Sequence, residues 1–315
     1  MFRMGGGDVM ATIVIENLEK RYKDVKALNG LNLNVPEGRI YGFLGPNGAG
    51  KSTTIMSMLG IVRPNSGRIE LLGREVFNDG LKEGNLVKAK ARIGYMPEHA
   101  TLWDFLTPLQ TLDIIGLAYG IPKIERAKRA RELLEMVGLW DDRNRKVGKF
   151  SKGMRQKLLL AQALVNDPDL LILDEPMNGL DPRGIVEFKE IIRRQKEEGK
   201  TVFFSSHILA HVEEVCDTVG VIVKGKLRLE DTIDNVKREF LERGGYVILV
   251  ETNKPVDFTG TGWKVETRGE NRYVIRANSD VREQVYDVVT AQGAKILQMK
   301  VKTPSLEEIF LKVVE

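Results

Sequence analysis

Two periodicities alternate along this chain. Short apolar runs bounded by glycine or proline read as strands at Thr12–Ile15, Arg39–Leu44, Arg68–Leu72 and Ile93–Met96. Ser52–Ile61 has few breakers and reads as a helix, and Pro64–Gly67 as a turn. From about Ala100 to Val165 apolar residues recur at helical spacing, as in Leu109, Leu112 and Ile115 or Leu133, Leu134 and Val137, with a break at Gly120–Pro122. Strands return at Leu170–Leu173, Thr201–Ser205 and Val219–Val223. Strands alternating with helices predict an α/β fold with a mainly parallel sheet.

The stretch Val219–Leu229 has a hairpin turn at Lys224–Gly225–Lys226, and a short helix follows Asp231 to about Glu242. Gly244–Gly245 reads as a linker. Beyond it, Tyr246–Glu315 reads as a second, smaller unit. Its strands are Tyr246–Val250, Arg272–Ala277 and Ile296–Val301, with a helix at Asp280–Gln292. Ser305 and Glu308 form an S-x-x-E capping box before a last helix, Leu306–Val313. Two units suit 315 residues at about 150 residues per domain.

Composition narrows the function. Hydrophobic residues at 42% and charged residues at 29% permit a sizeable core and exclude a disordered chain. The net charge of +4 is spread over 48 basic and 44 acidic residues, so it gives no support to a nucleic-acid stripe. Cys216 is the only cysteine, which excludes an internal disulfide or a cysteine zinc site and favours a reducing compartment; it is expected as a small core residue. Three histidines, His99, His207 and His211, do not make a histidine-rich metal site, and His99 and His211 are expected at the surface. No apolar run approaches the ~20 residues of a membrane span. The opening MFRMGGGDVM holds no signal-peptide run, and Met4 and Met10 are alternative starts to Met1. A soluble cytoplasmic chain is expected, held to a membrane only through a partner.

The candidate chemistry starts at Gly45-Pro46-Asn47-Gly48-Ala49-Gly50-Lys51-Ser52, which matches G-x-x-x-x-G-K-[ST] between a strand and a helix. A triphosphate presents several negative charges at once. Backbone amides reach them only if the chain curls closely, which glycine permits, and the following helix aims its first amides at the same anions. Lys51 is placed for the β- and γ-phosphates and the Ser52 hydroxyl for Mg²⁺. Further on, the apolar Leu170–Leu173 runs into Asp174-Glu175. Two carboxylates there need a cation or a proton donor if buried. Asp174 suits the shell of Mg²⁺, and Glu175 is placed to polarise a water that attacks the γ-phosphate.

With these motifs the chain resembles the ATP-binding subunit of an ABC transporter over roughly Ala11–Glu230. Phe150-Ser151-Lys152-Gly153-Met154-Arg155-Gln156 resembles the family signature, at the head of a helix Gly153–Val165. Asn178-Gly179-Leu180-Asp181 resembles the D-loop, and Gly94-Tyr95-Met96-Pro97-Glu98 lies where the family has its Q-loop. His207 resembles the switch histidine, and Tyr22 the aromatic that stacks on adenine. Glu98 stands in place of the usual glutamine, Lys152 in place of a signature glycine, and Met154 in place of its glutamine. These departures resemble a subgroup paired with separate ABC-2-type permeases.

The resemblance implies a P-loop NTPase of the ABC type. Its core carries an antiparallel β subdomain and a helical subdomain (about 99–165) within residues 11–235. A small α+β accessory domain over 236–315 has an ending, Thr303–Phe310, like that of many drug- and polysaccharide-type ATPases. Nucleotide contacts are implied for Tyr22, Gly45, Pro46, Asn47, Gly48, Ala49, Gly50, Lys51, Ser52, Thr53, Glu98, Ser151, Gly153 and Asp181. Metal contacts are implied for Ser52, Glu98 and Asp174, and catalysis for Glu175 and His207. One loop and one signature per chain imply that ATP and Mg²⁺ are clamped between two copies, or a copy and a paralogous subunit. They further imply a separate transmembrane permease of the ABC-2 type, reached at the inner face of the cell membrane, with export as the expected direction.

The permease surface would come from Glu98–Tyr119, where Trp103, Phe105 and Leu106 either dock or pack inside. The alternative is an ABC-type ATPase that works as a non-transport or nucleic-acid-linked switch. A GTPase would want N-K-x-D, whereas Asn253-Lys254-Pro255-Val256 has valine at the last position.

Overall fold

The computed structural model describes residues 10–99 and 101–314; Met1, Met4, Ala100 and Glu315, named above, lie outside them. The chain divides between Asp231 and Thr232 into two compact units.

The first unit opens with β1 (Ala11–Tyr22) and β2 (Val25–Pro36), then β3 (Ile40–Leu44) and α1 (Lys51–Met58). Next come β4 (Ser66–Leu71), β5 (Arg74–Asn78), α2 (Glu83–Lys90) and β6 (Ile93–Met96). The helical stretch follows as α3 (Pro108–Ala118), α4 (Lys123–Met136), a 3₁₀ turn at Val147–Lys149 and α5 (Lys152–Ala163). The unit closes with β7 (Leu170–Leu173), α6 (Pro182–Glu197), β8 (Thr201–Ser206), α7 (Leu209–Val215), β9 (Thr218–Val223) and β10 (Lys226–Thr232).

Two sheets organise these elements. The antiparallel sheet has the order β2-β1-β4-β5, and the six-stranded sheet the order β10-β9-β3-β8-β7-β6. Within the latter, β9, β3, β8, β7 and β6 run parallel to one another. A continuous core joins both sheets to α1: Ile13, Leu31 and Ile69 share a cluster with Ile55, Met58, Phe43 and Phe203. Tyr41 stacks on Phe203 at 5.5 Å between ring centres. β3, β7 and β8 are buried along their whole length, as strands covered on both faces must be.

Five elements of this unit, β2, β5, α2, α6 and α7, go beyond the sequence expectations. In β2, Asn29, Gly30, Asn32 and Asn34 are poor strand formers, yet Leu31, Leu33 and Val35 alternate inward. α6 starts where Asp181 accepts a hydrogen bond from the Gly184 amide at 2.7 Å, with Pro182 at its first position.

The second unit carries α8 (Ile233–Gly244), β11 (Tyr246–Thr252), β12 (Lys264–Thr267), β13 (Arg272–Ala277), α9 (Arg282–Ala291), β14 (Ile296–Val301) and α10 (Leu306–Val314). Its antiparallel sheet has the order β12-β13-β11-β14. Ile248, Val250 and Ile275 on one sheet face pack with Val285 and Val289 of α9. The capping box before α10 is formed in both directions: the Glu308 amide donates to Ser305 Oγ at 3.2 Å, and the Ser305 amide to Glu308 Oε2 at 3.3 Å.

Candidate functional site

The site grows from the C-terminal ends of three adjacent strands. β3 delivers the phosphate loop, β7 the acidic pair and β8 the residues up to Ser206, with His207 next. The crevice beyond the carboxyl ends of a parallel sheet is where such folds bind ligands. The loop itself is tightly seated. Gly50 has φ 114°, and a Cβ on it would lie 2.7 Å from the Ala27 carbonyl oxygen, so glycine is required twice over. The first turn of α1 holds no acidic residue, which leaves its amides open to an anion.

A cleft of about 400 Å³ lies over the loop. Pro46, Asn47, Gly48, Gly50, Lys51, Ser52 and Thr53 line it, together with Glu98, Glu175 and His207. Val25, Lys26 and Ala27 complete the wall, and no motif in the sequence marks them. Gly45, Ala49 and Asp174 lie behind this lining, Gly45 through a carbonyl that accepts from Lys51 Nζ at 2.7 Å. Tyr22 is not among the lining residues: it is 42% exposed, with Lys20 Nζ 4.9 Å from its ring centre.

Inside the cleft the charges are paired. Lys51 Nζ lies 3.3 Å from Glu175 Oε1, and both side chains are buried. The other Glu175 oxygen, Oε2, lies 2.9 Å from His207 Nδ1. One carboxylate therefore occupies two groups assigned to phosphate. Glu175 itself has φ 47°, the left-handed region that side chains rarely adopt. Asp174 is also buried; its amide donates to the Met96 carbonyl at 2.8 Å, and its Oδ1 accepts from Ser205 Oγ at 2.5 Å. Nothing in the sequence marks Ser205 except its place two residues before His207. Nearby, burial and the Asp174 carboxylate push the Tyr95 hydroxyl up to about 12.

The remaining sequence candidates lie elsewhere in the unit. Ser151 and Gly153 head α5, where Ser151 Oγ accepts from the Met154 amide at 3.2 Å; neither lines the cleft. Asp181 caps α6 and lines a different cavity with Lys157 and Glu187. The Lys152 side chain crosses Gly179, so close that a Cβ on Gly179 would meet its Cε at 2.3 Å. Trp103 and Phe105 are 46% and 68% exposed, and Leu106 is half-buried. His99 is exposed, but His211 is half-buried against expectation, and burial followed by the Lys189 charge lowers its ring pKa. Burial raises the Cys216 thiol well above its ordinary value, in keeping with a packing residue.

The donor set suits a hard cation. Ser52 and Glu98 share the cleft, Asp174 stands behind it, and all three offer oxygen, the ligand Mg²⁺ selects. Among the described residues no cluster of three or more His, Cys, Asp or Glu side chains offers a protein-only metal cage.

Comparison with known proteins fits this geometry. A family model described as ABC transporter matches residues 28–178, and one described as ATP-binding protein DrrA1-3-like, C-terminal domain, matches residues 232–314. The bacitracin transport ATP-binding protein BcrA of Bacillus licheniformis is 38% identical over 97% of this chain and 98% of its own. The daunorubicin resistance ATP-binding protein DrrA3 of Streptomyces coeruleorubidus is 34% identical over 95% of this chain and 94% of its own. Among solved structures, a dimeric post-hydrolysis ATP-binding cassette bound to ADP and Pi superposes with a TM-score of 0.64 at 26% identity, covering 70% of this chain and 98% of that one.

Proposed function

The chain belongs to the ABC transporter ATP-binding proteins, and from that premise we propose how its residues convert ATP hydrolysis into transport. It is an ATP-binding ATPase subunit of an ABC transporter with the P-loop NTPase fold. The observation that carries the residue-level reading is the convergence of Lys51, Glu175 and His207 over the phosphate loop.

Binding begins with the loop amides and Lys51. An incoming γ-phosphate competes with Glu175 for the Lys51 ammonium, so Glu175 is released toward the water it must polarise. Ser52, Glu98 and Asp174 would hold Mg²⁺, which when bound neutralises phosphate charge. In the hydrolytic step a water oxygen bonds to the γ-phosphorus as the bond to ADP breaks, and Glu175 takes the water proton. His207, freed from the same carboxylate, contacts the γ-phosphate. Ser151 and Gly153 of one copy reach the nucleotide of the other. Their absence from the cleft of their own chain supports that division, as does the dimeric state of the solved relative. Loss of the γ-phosphate removes those contacts and lets the two copies part.

The work leaves the chain through a membrane partner. Among the described residues no helix is long and apolar enough to cross a membrane. Exposed Trp103 and Phe105 supply an apolar docking patch for a separate permease, which would hold the chain peripherally at the inner face of the cell membrane. Export is the direction supported by relatives named for bacitracin transport and daunorubicin resistance. Co-expression with a candidate ABC-2-type permease tests this. The chain is expected in the membrane fraction only when that permease is present, and Trp103→Ser with Phe105→Ser should release it while ATP binding persists. Equal membrane recovery with and without the permease would refute the docking.

A further inference from the structure

We propose that Ser205 is a positioning residue that sets both carboxylates of the site through a single hydroxyl. The register of the sheet brings it there. β7 and β8 run parallel with Leu173 opposite Phe204, so the next residues, Asp174 and Ser205, emerge side by side. Ser205 is fully buried, and its Oγ lies 2.5 Å from Asp174 Oδ1 and 3.0 Å from the Glu175 amide nitrogen.

The chemistry fixes the direction of both bonds. An amide N–H only donates, so Oγ accepts from Glu175, and the one hydroxyl proton goes to Asp174. Each role uses a different part of the hydroxyl, and the two coexist. On the Asp174 side, one carboxylate oxygen is pinned, while no hydrogen bond reaches Oδ2 among the described residues. That leaves Oδ2 presented for a cation instead of rotating freely. On the Glu175 side, the hydrogen bond holds the amide of a residue at φ 47°. A left-handed side-chain residue persists only where its surroundings hold it. The Glu175 carboxylate is thereby carried back over the loop toward Lys51 and His207.

This inference rests on the reading of Asp174 as a metal ligand and Glu175 as the base, so the experiment separates the two. The full chain is compared with Ser205→Ala, Ser205→Thr and Asp174→Asn. Mn²⁺ binding to the ADP complex is measured by electron paramagnetic resonance, ADP binding in EDTA by titration, and kcat by phosphate release. Ser205→Ala should weaken Mn²⁺ binding and lower kcat, each by about ten- to hundredfold, the effect of losing a hydrogen bond to a charged group. ADP affinity in EDTA should stay within about twofold, because the loop and Lys51 are untouched. Ser205→Thr, which keeps the hydroxyl, should recover Mn²⁺ affinity and kcat. If alanine does not fold, Ser205→Cys serves instead: similar in size and a poor donor, it should show the same pattern in weaker form.

Parental Mn²⁺ affinity and kcat in Ser205→Ala, with Asp174→Asn impaired, would overturn the role of Ser205 alone. A joint loss of ADP affinity, Mn²⁺ affinity and kcat in both alanine and threonine variants would reduce Ser205 to packing. Unchanged Mn²⁺ affinity in Asp174→Asn would remove the metal reading, and this proposal with it.

Discussion

Replacing Glu175 by glutamine keeps the shape of the side chain and removes its charge, and the structure makes two opposite consequences calculable. The carboxylate is the proposed base, so kcat should fall by about 10²–10⁴-fold, the usual contribution of general base catalysis. The same carboxylate holds Lys51 at 3.3 Å, an attraction of about 5 kcal/mol at an effective dielectric constant of about 20. Much of that is offset in the variant by the glutamine dipole and by water entering the cleft. If about one fifth remains as a difference, nucleotide affinity rises by about 1 kcal/mol, or roughly fivefold. Glu175→Gln should therefore bind a fluorescent ATP analogue more tightly in EDTA at protein concentrations too low for pairing. With Mg²⁺–ATP it should collect as a pair on size exclusion, because the γ-phosphate is no longer removed. Hydrolysis at the parental rate would refute the role of Glu175 as base. Weaker analogue binding would refute the competition for Lys51.

Other consequences follow from single contacts. Lys51→Ala removes the buried ammonium proposed to meet the phosphates, and ATP affinity should drop by at least about tenfold; an unchanged titration would count against that role. Gly94→Ala would place a Cβ 2.0 Å from the Ala163 carbonyl oxygen, where β6 presses on the end of α5. Such overpacking costs about 1–3 kcal/mol, so the melting temperature should fall by several degrees, and an unaltered melt would show the contact to be soft. Glu230 accepts from the Tyr41 hydroxyl at 2.6 Å, and burial raises its pKa above 4.5 despite that bond. The folded state then holds the proton longer than the unfolded one, so stability falls as pH rises from 4.5 through the folded pKa. Glu230→Gln abolishes this titration, and its stability relative to the parent should improve across that window; a pH-independent difference would exclude the linkage.

The parts of the site that can be read from the chain are those whose chemistry is contiguous. The phosphate loop needs glycines, a lysine and a serine at fixed spacing, and the acidic pair needs only the four apolar residues before it. Both readings require no knowledge of which strands are neighbours. Ser205 is different, because it lies 31 residues from Asp174 and meets it only through the order β8-β7 in the sheet. The wall from Val25 to Ala27 was hidden for a related reason: Asn29, Gly30, Asn32 and Asn34 mask an inward alternation that shows only once β1 is beside it. Asp181 shows the opposite confusion. A residue chosen for nucleotide chemistry also carries a local duty, the cap of α6, that Asp-Pro alone would have announced.

Glu175 marks the limit most sharply. Its identity and its place after Asp174 point to its chemistry, but not its φ of 47°. That conformation is held from outside the segment, by Ser205 on the amide and by Lys51 and His207 on the carboxylate. A short apolar strand ending in two acids can surface harmlessly into solvent. What sets this one apart is that two separate segments, the phosphate loop through Lys51 and the end of β8 through Ser205 and His207, hold Glu175 in an unfavourable backbone state. A ligand that takes Lys51 and His207 away leaves the Ser205 bond as the remaining hold on Glu175. Under the proposed reading, the chain can thus reset Glu175 between nucleotide-free and nucleotide-bound states without moving the strand that carries it.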